Sequence, residues 1–148
     1  MWVKTVNDGY FLDGKVVNGY WSYIGHDDVV TLPKSLDGEE LISCYNMFKL
    51  SNVKKVICNH DQIKNTELMF SLVNTESLDL SEFNVNKTTN MRGMFMGARI
   101  GELVFPAKPD CNSVNLESLF YSANLKTIKD PDMVNNWYEN SGNNLLLP

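Results

Sequence analysis

Few cysteines, no long apolar run and no excess of positive charge: each of these shortages removes a class of protein. Three cysteines in 148 residues, Cys44, Cys58 and Cys111, make no CxxC pair, and an odd number cannot close a complete disulfide framework. They read as small buried hydrophobes. No apolar run approaches the ~20 residues that cross a bilayer, and the start lacks a basic segment followed by an apolar one. A cytoplasmic chain as encoded is expected, or a cell-surface protein if the sequence is a mature fragment. Lys and Arg number 13 against 18 Asp and Glu, a net charge of -5. That is the wrong sign for gripping a phosphate backbone, so no direct nucleic-acid contact is expected. The remaining balance, 43% hydrophobic and 21% charged, is that of one folded domain over residues 1–148.

Catalytic signatures are lacking too. His26 and His60 are the only histidines, and neither belongs to an HExxH or another spaced metal motif. No GxSxG, Walker sequence or dinucleotide fingerprint is present. Cys58-Asn59-His60 places a thiol and an imidazole near a strand end, which leaves a small hydrolase as one reading. Zinc, however, asks for four ligands and no partner pair is visible. His26-Asp27-Asp28 falls in an expected turn, where Asp is favoured for local hydrogen bonding. Asn86-Lys87-Thr88 matches a glycosylation acceptor of a kind that arises often by chance. The expectation is no enzyme, no metal and no cofactor.

What the sequence does contain is a repeat. Met47-Phe48, Met69-Phe70, Met94-Phe95 and Leu119-Phe120 set the Phe residues 22, 25 and 25 apart. Eight residues beyond each Phe stand Val56, Leu78, Leu103 and Ile128, and two further on Cys58, Leu80, Phe105 and Asp130. A period of two with only Asp130 polar predicts one short strand per copy. Cys44, Thr66, Met91 and Leu116 stand four before each Phe, giving an i, i+3, i+4 stripe that predicts a short amphipathic helix, with Asn90 as the cap of the third. Val53, Thr75, Ile100 and Leu125 would bury the corner between the two. Met133, Trp137, Leu145 and Leu147 continue the offsets as a degenerate fifth copy over 131–148.

A unit of this size cannot bury its own apolar face, so copies must stack and share one elongated core. The predicted fold is α/β: a short leucine-rich-repeat-like solenoid over 25–130, with parallel strands on one face and short helices on the other. Residues 1–24 carry Asp8-Gly9, Asp13-Gly14 and Asn18-Gly19 between β-rich runs, a pattern for a small antiparallel meander. Its aromatic residues would cap the first copy; a carbohydrate-binding platform is the alternative.

The stretch from Ser77 to Val85, with Leu78-Asp79-Leu80-Ser81 at its centre, followed by Thr89-Asn90-Met91-Arg92-Gly93-Met94-Phe95, closely resembles the unit of bacterial surface-protein repeats. Tyr23 to Pro33, then Leu36-Asp37-Gly38, resembles the opening unit of BspA-like leucine-rich repeats. The resemblance covers about residues 20 to 130. It implies a solenoid that binds other macromolecules, often in adhesion at bacterial surfaces, and it implies no catalysis.

In that register the strand residues between the buried pair point outward: Ile57, Asp79, Val104, Lys129 and Leu146 at one offset, Lys55, Ser77, Glu102, Thr127 and Asn144 at another. Lys55, Ile57, Asp79, Glu102, Val104 and Lys129 are the candidate partner-binding residues. Ile57 and Val104 would form an apolar centre within a charged rim, although β-branched residues also suit strands in their own right. Loop residues Asn59, His60, Asp61, Glu82 and Asp110 offer a second surface. The acidic balance favours a protein partner with a basic surface. The alternative function is a phage- or mobile-element-encoded acidic inhibitor of a host defence nuclease, comparable to anti-CRISPR proteins. The register itself has a direct test: Phe95→Ala should cost about 3 to 5 kcal/mol in chemical denaturation, and a loss below ~1 kcal/mol would show Phe95 outside a packed core.

Overall fold

Chain order alone arranges the main sheet: β3 (Val29–Thr31), β6 (Lys55–Ile57), β7 (Asn74–Asp79), β8 (Arg99–Val104) and β9 (Asn124–Lys129) lie side by side in that sequence, all parallel. One strand per copy, each laid beside the last, makes a solenoid of about four turns. The computed structural model describes residues 1–12, 14–108 and 114–140. Ahead of the sheet come the hairpin β1 (Trp2–Leu12) and β2 (Lys15–Tyr23); a second small hairpin, β4 (Ser35–Leu36) and β5 (Glu39–Glu40), follows β3. Behind the sheet comes α1 (Pro131–Asn140).

The wall opposite the sheet is built of turns, which corrects the expected helices. Residues 45–50, 67–72, 92–97 and 117–122 form consecutive turns. In each copy the residues two before and two after the Phe have positive φ: Asn46 and Leu50, Leu68 and Leu72, Gly93 and Gly97, Ser118 and Ser122, all between 55° and 67°. A left-handed residue every fourth position stops any right-handed helix from propagating. The inward stripe survives because this turn series also directs residues four before, one before and at the Phe into the core: Cys44, Met47 and Phe48 are buried, as are Met91, Met94 and Phe95.

The turn wall has its own ladder. The Met69, Ser71 and Val73 N–H groups donate within their coil to Thr66, Leu68 and Phe70 carbonyls, at 3.1, 3.2 and 3.3 Å. The alternate Thr66, Leu68, Phe70 and Leu72 N–H groups donate to the next coil, at Asn90, Arg92, Met94 and Met96 carbonyls, at 2.8 to 3.0 Å. Asn90 is a cap, though of a turn and not of a helix: its Oδ1 accepts the Arg92 N–H at 3.0 Å, as Asn65 does for Glu67 and Asn115 for Glu117. Thr88, the last residue of the glycosylation-like triplet, is fully buried and donates its hydroxyl to the Ile63 carbonyl at 2.7 Å.

One core runs from Val30 to Tyr138. Through it passes a stack of rings, with Phe48, Phe70, Phe95 and Phe120 5.4 to 5.8 Å apart and within 12° of parallel. The N-terminal segment caps this stack as one bulged hairpin, which corrects the expected meander: Gly9 pairs with Asn18, so two of the three turn-like dipeptides lie opposite one another in the strands. Trp2 and Tyr23 rest their rings on Phe48, and Tyr10 stacks on Tyr45. At the other end α1 buries Val134, Trp137 and Tyr138, while Met133 is exposed, so Val134 takes the inward place expected of Met133. Leu145, Leu147 and Cys111 lie outside the described residues.

The first coil is shorter, and pairing shows where. Phe48 precedes Phe70 by 22 residues, yet Lys55 pairs with Asp79 and Cys58 with Phe83. Each coil turns two successive residues outward between buried positions (Lys54 and Lys55, Glu76 and Ser77, Gly101 and Glu102), so the difference falls in the pairing: the Asn74 N–H donates to the Ser51 carbonyl and the Asp79 N–H to that of Lys54. A slip of two at Lys55 keeps inward residues inward. At the outward kink the strands approach so closely that a Cβ on Gly101 would lie 2.2 Å from the Glu76 carbonyl oxygen. Gly101→Ala should therefore destabilise the fold by at least ~1 kcal/mol, read as a lower denaturation midpoint, and Ser77→Ala, at the residue after Glu76, should not.

Candidate functional site: the outer face of the sheet

Parallel pairing places residues of equal offset in rows across the sheet, about 4.8 Å apart. One row is Val29, Lys55, Asp79, Val104 and Lys129, each the registered neighbour of the next. It brings together four of the six candidate residues. Behind it lies a second row, Ser77, Glu102 and Thr127. Lys55 stands where equal spacing had put Ile57, because of the short first coil; Ile57 pairs with Thr31 at the sheet's end instead. Glu102 and Lys129 are exposed, and Lys55, Ile57, Asp79 and Val104 are half-buried.

Ion pairs knit the first half of this face. The Lys55 ammonium contacts the Glu82 carboxylate and lies 3.9 Å from Asp79, and the Glu82 contact is the main reason its pKa is raised. The Asp79 carboxylate is held below its ordinary range first by hydrogen bonds from Ser81, whose N–H reaches Oδ1 at 2.8 Å, and then by Lys55 and Lys129. Lys126 and Lys129 on β9, by contrast, form no ion pair among the described residues. The face is thus sorted by strand, carboxylates on β7 and free ammonium groups on β9, with Val104 between them.

Beside the rows runs a groove of about 460 Å³, lined by Asn74, Arg99 and Asn124, with Glu76, Gly101 and Lys126 further along the strands. Sequence reasoning missed it. Its signal was a polar residue four beyond every Phe, Asn52, Asn74, Arg99 and Asn124, all exposed.

The residues with chemical potential stand elsewhere. Cys58 Sγ lies 3.6 Å from His60 Nε2 and donates to the His60 carbonyl at 3.3 Å, while Nε2 lies 2.9 Å from the Pro33 carbonyl. Nδ1 is buried without a hydrogen-bond partner. Burial pushes the Cys58 thiol up, and that of Cys44 further, which disfavours the thiolate needed for attack. His26 and Asp27 are exposed, and Tyr23 donates its hydroxyl to Asp27. Asp28 is spent on architecture: its carbonyl accepts the Lys54 and Lys55 N–H groups, both at 2.9 Å. Of the loop surface, Asn59 and Asp61 are exposed, His60 is buried, Glu82 is turned to Lys55, and Asp110 lies outside the described residues.

Among the described residues no helix is long and apolar enough to cross a membrane, and no group of three or more His, Cys, Asp and Glu side chains gathers as a metal site would require. No protein-family model, no curated protein and no solved structure matches the chain.

A buried thiol predicts silence. Peptide mapping after iodoacetamide treatment should find Cys58 unmodified in the folded protein and alkylated in urea, and Cys58→Ala should cost about 1 to 3 kcal/mol.

Proposed function

We propose that this chain is a non-enzymatic protein-protein interaction module: a leucine-rich-repeat-like solenoid, of the bacterial surface and adhesion type that its third copy resembles, holding its partner on the outer face of the sheet. The observation that carries the reading is the row Lys55, Asp79, Val104 and Lys129, where a β-branched side chain lies between opposite charges on four hydrogen-bonded strands. Strands held in one hydrogen-bonded sheet are already ordered, so a partner loses little free energy in ordering them. Val104 supplies apolar contact at the middle of the row, and the charges around it supply register and rejection of wrong partners. Cys58 and His60 fit a structural part better than a catalytic one, because one ring nitrogen faces a carbonyl and the thiol is buried.

The test is capture. Purified protein is presented to lysate and to intact cells of its source, with Ile57→Asp/Val104→Asp as control bait. A protein retained by the wild type should be lost by the control, and with the retained protein purified, Val104→Asp should weaken binding at least about tenfold. Equal retention by both baits would remove the sheet face from the function.

A further inference from the structure

We infer that the partner fitted by this face is a second copy of the chain, docked sheet to sheet about a two-fold axis running along β8; this rests on the proposal that the face binds protein. Glu76 and Asp79 stand on β7, Lys126 and Lys129 on β9, and Gly101 and Val104 on β8 between them. Val104 is the registered neighbour of Asp79 on one side and of Lys129 on the other. Glu76, Gly101 and Lys126 share one groove. A half-turn about an axis in the interface plane and parallel to β8 exchanges β7 with β9 and leaves every residue at its own height along the strand. Asp79 then meets Lys129 of the second copy, Glu76 meets Lys126, and each contact is made twice, as an isologous interface requires.

Charge also selects this axis over its rival. A half-turn about the in-plane axis perpendicular to the strands would set β7 against β7, carboxylate on carboxylate, which is unfavourable. Along β8, Gly101 offers no side chain and Val104 a compact apolar one, so the two sheets can approach. Glu102 is the exception, since the axis sets it against its own copy. Three strands of six residues make a face of about 14 by 20 Å. That is smaller than the face of a standard stable complex, so the dimer is weak and in rapid exchange.

Sedimentation equilibrium of the full chain, from low to high micromolar concentration, is the test. The expected result is reversible monomer–dimer exchange, at least about tenfold weaker in Lys126→Glu/Lys129→Glu and in Glu76→Lys/Asp79→Asn. Asn is chosen at 79 to keep an acceptor for the Ser81 N–H. Mixed together, the two variants should form a one-to-one heterodimer, which also shows that both are folded, and Glu102→Gln should tighten the parent dimer. A chain monomeric at every concentration, a dimer indifferent to both reversals, or variants that fail to pair when mixed would overturn the inference. Capture of a different protein, lost with Ile57→Asp/Val104→Asp, would in that case leave the binding-face reading standing.

Discussion

The rest of the structure depends on how the turn wall disposes of its backbone N–H groups. Alternate N–H groups bond within a coil and reach the next coil, so the chain can neither wind into a helix nor slip against its neighbour without stranding donors. The Phe residues take part in this ladder: Phe48, Phe70 and Phe95 donate to the carbonyls of Met69, Met94 and Leu119, each one residue before the next Phe. Backbone register and ring stack are therefore one constraint expressed twice. Once the turns are in place, the strands on the far wall have no choice of partner, and the outward rows follow from that.

The repeat, its register in coils two to four, the inward residues and the parallel sheet were legible in the sequence, because apolar side chains recur wherever a coil must bury its inner surface. The turns were not. An i, i+3, i+4 stripe is what a helix would show, and the sign of φ that tells the two apart has little trace in the residue types: Asn, Leu, Gly and Ser fill the same left-handed positions. Only Gly93 and Gly97 hinted at it. The hairpin was misread for a related reason, since Asp8-Gly9 and Asn18-Gly19 suit turns locally, yet the bulge between Thr5 and Gly9 absorbs them within the strands.

The outer face was partly legible. Equal spacing identified residues that stand on the outer face of the sheet, but the row through Asp79 recruits Lys55 in place of Ile57, because the first coil is shorter and its strand pairs two residues out of step. Contacts that depend on three-dimensional approach had no signature: the Lys55 pairing with Glu82 and the closeness of Gly101 to Glu76.

The order of the sheet, with β3 at one edge and β9 at the other, sets the molecule's mechanical character. The N-terminal hairpin and the C-terminal helix sit at opposite ends of the stack, so tension applied between them runs across the strands and along the hydrogen bonds. In that geometry the load falls on one inter-coil ladder at a time, and a coil can peel away while its neighbours keep their packing. Such a body yields in steps, each lengthening it by the contour of a single repeat, and behaves under traction as an extensible tether.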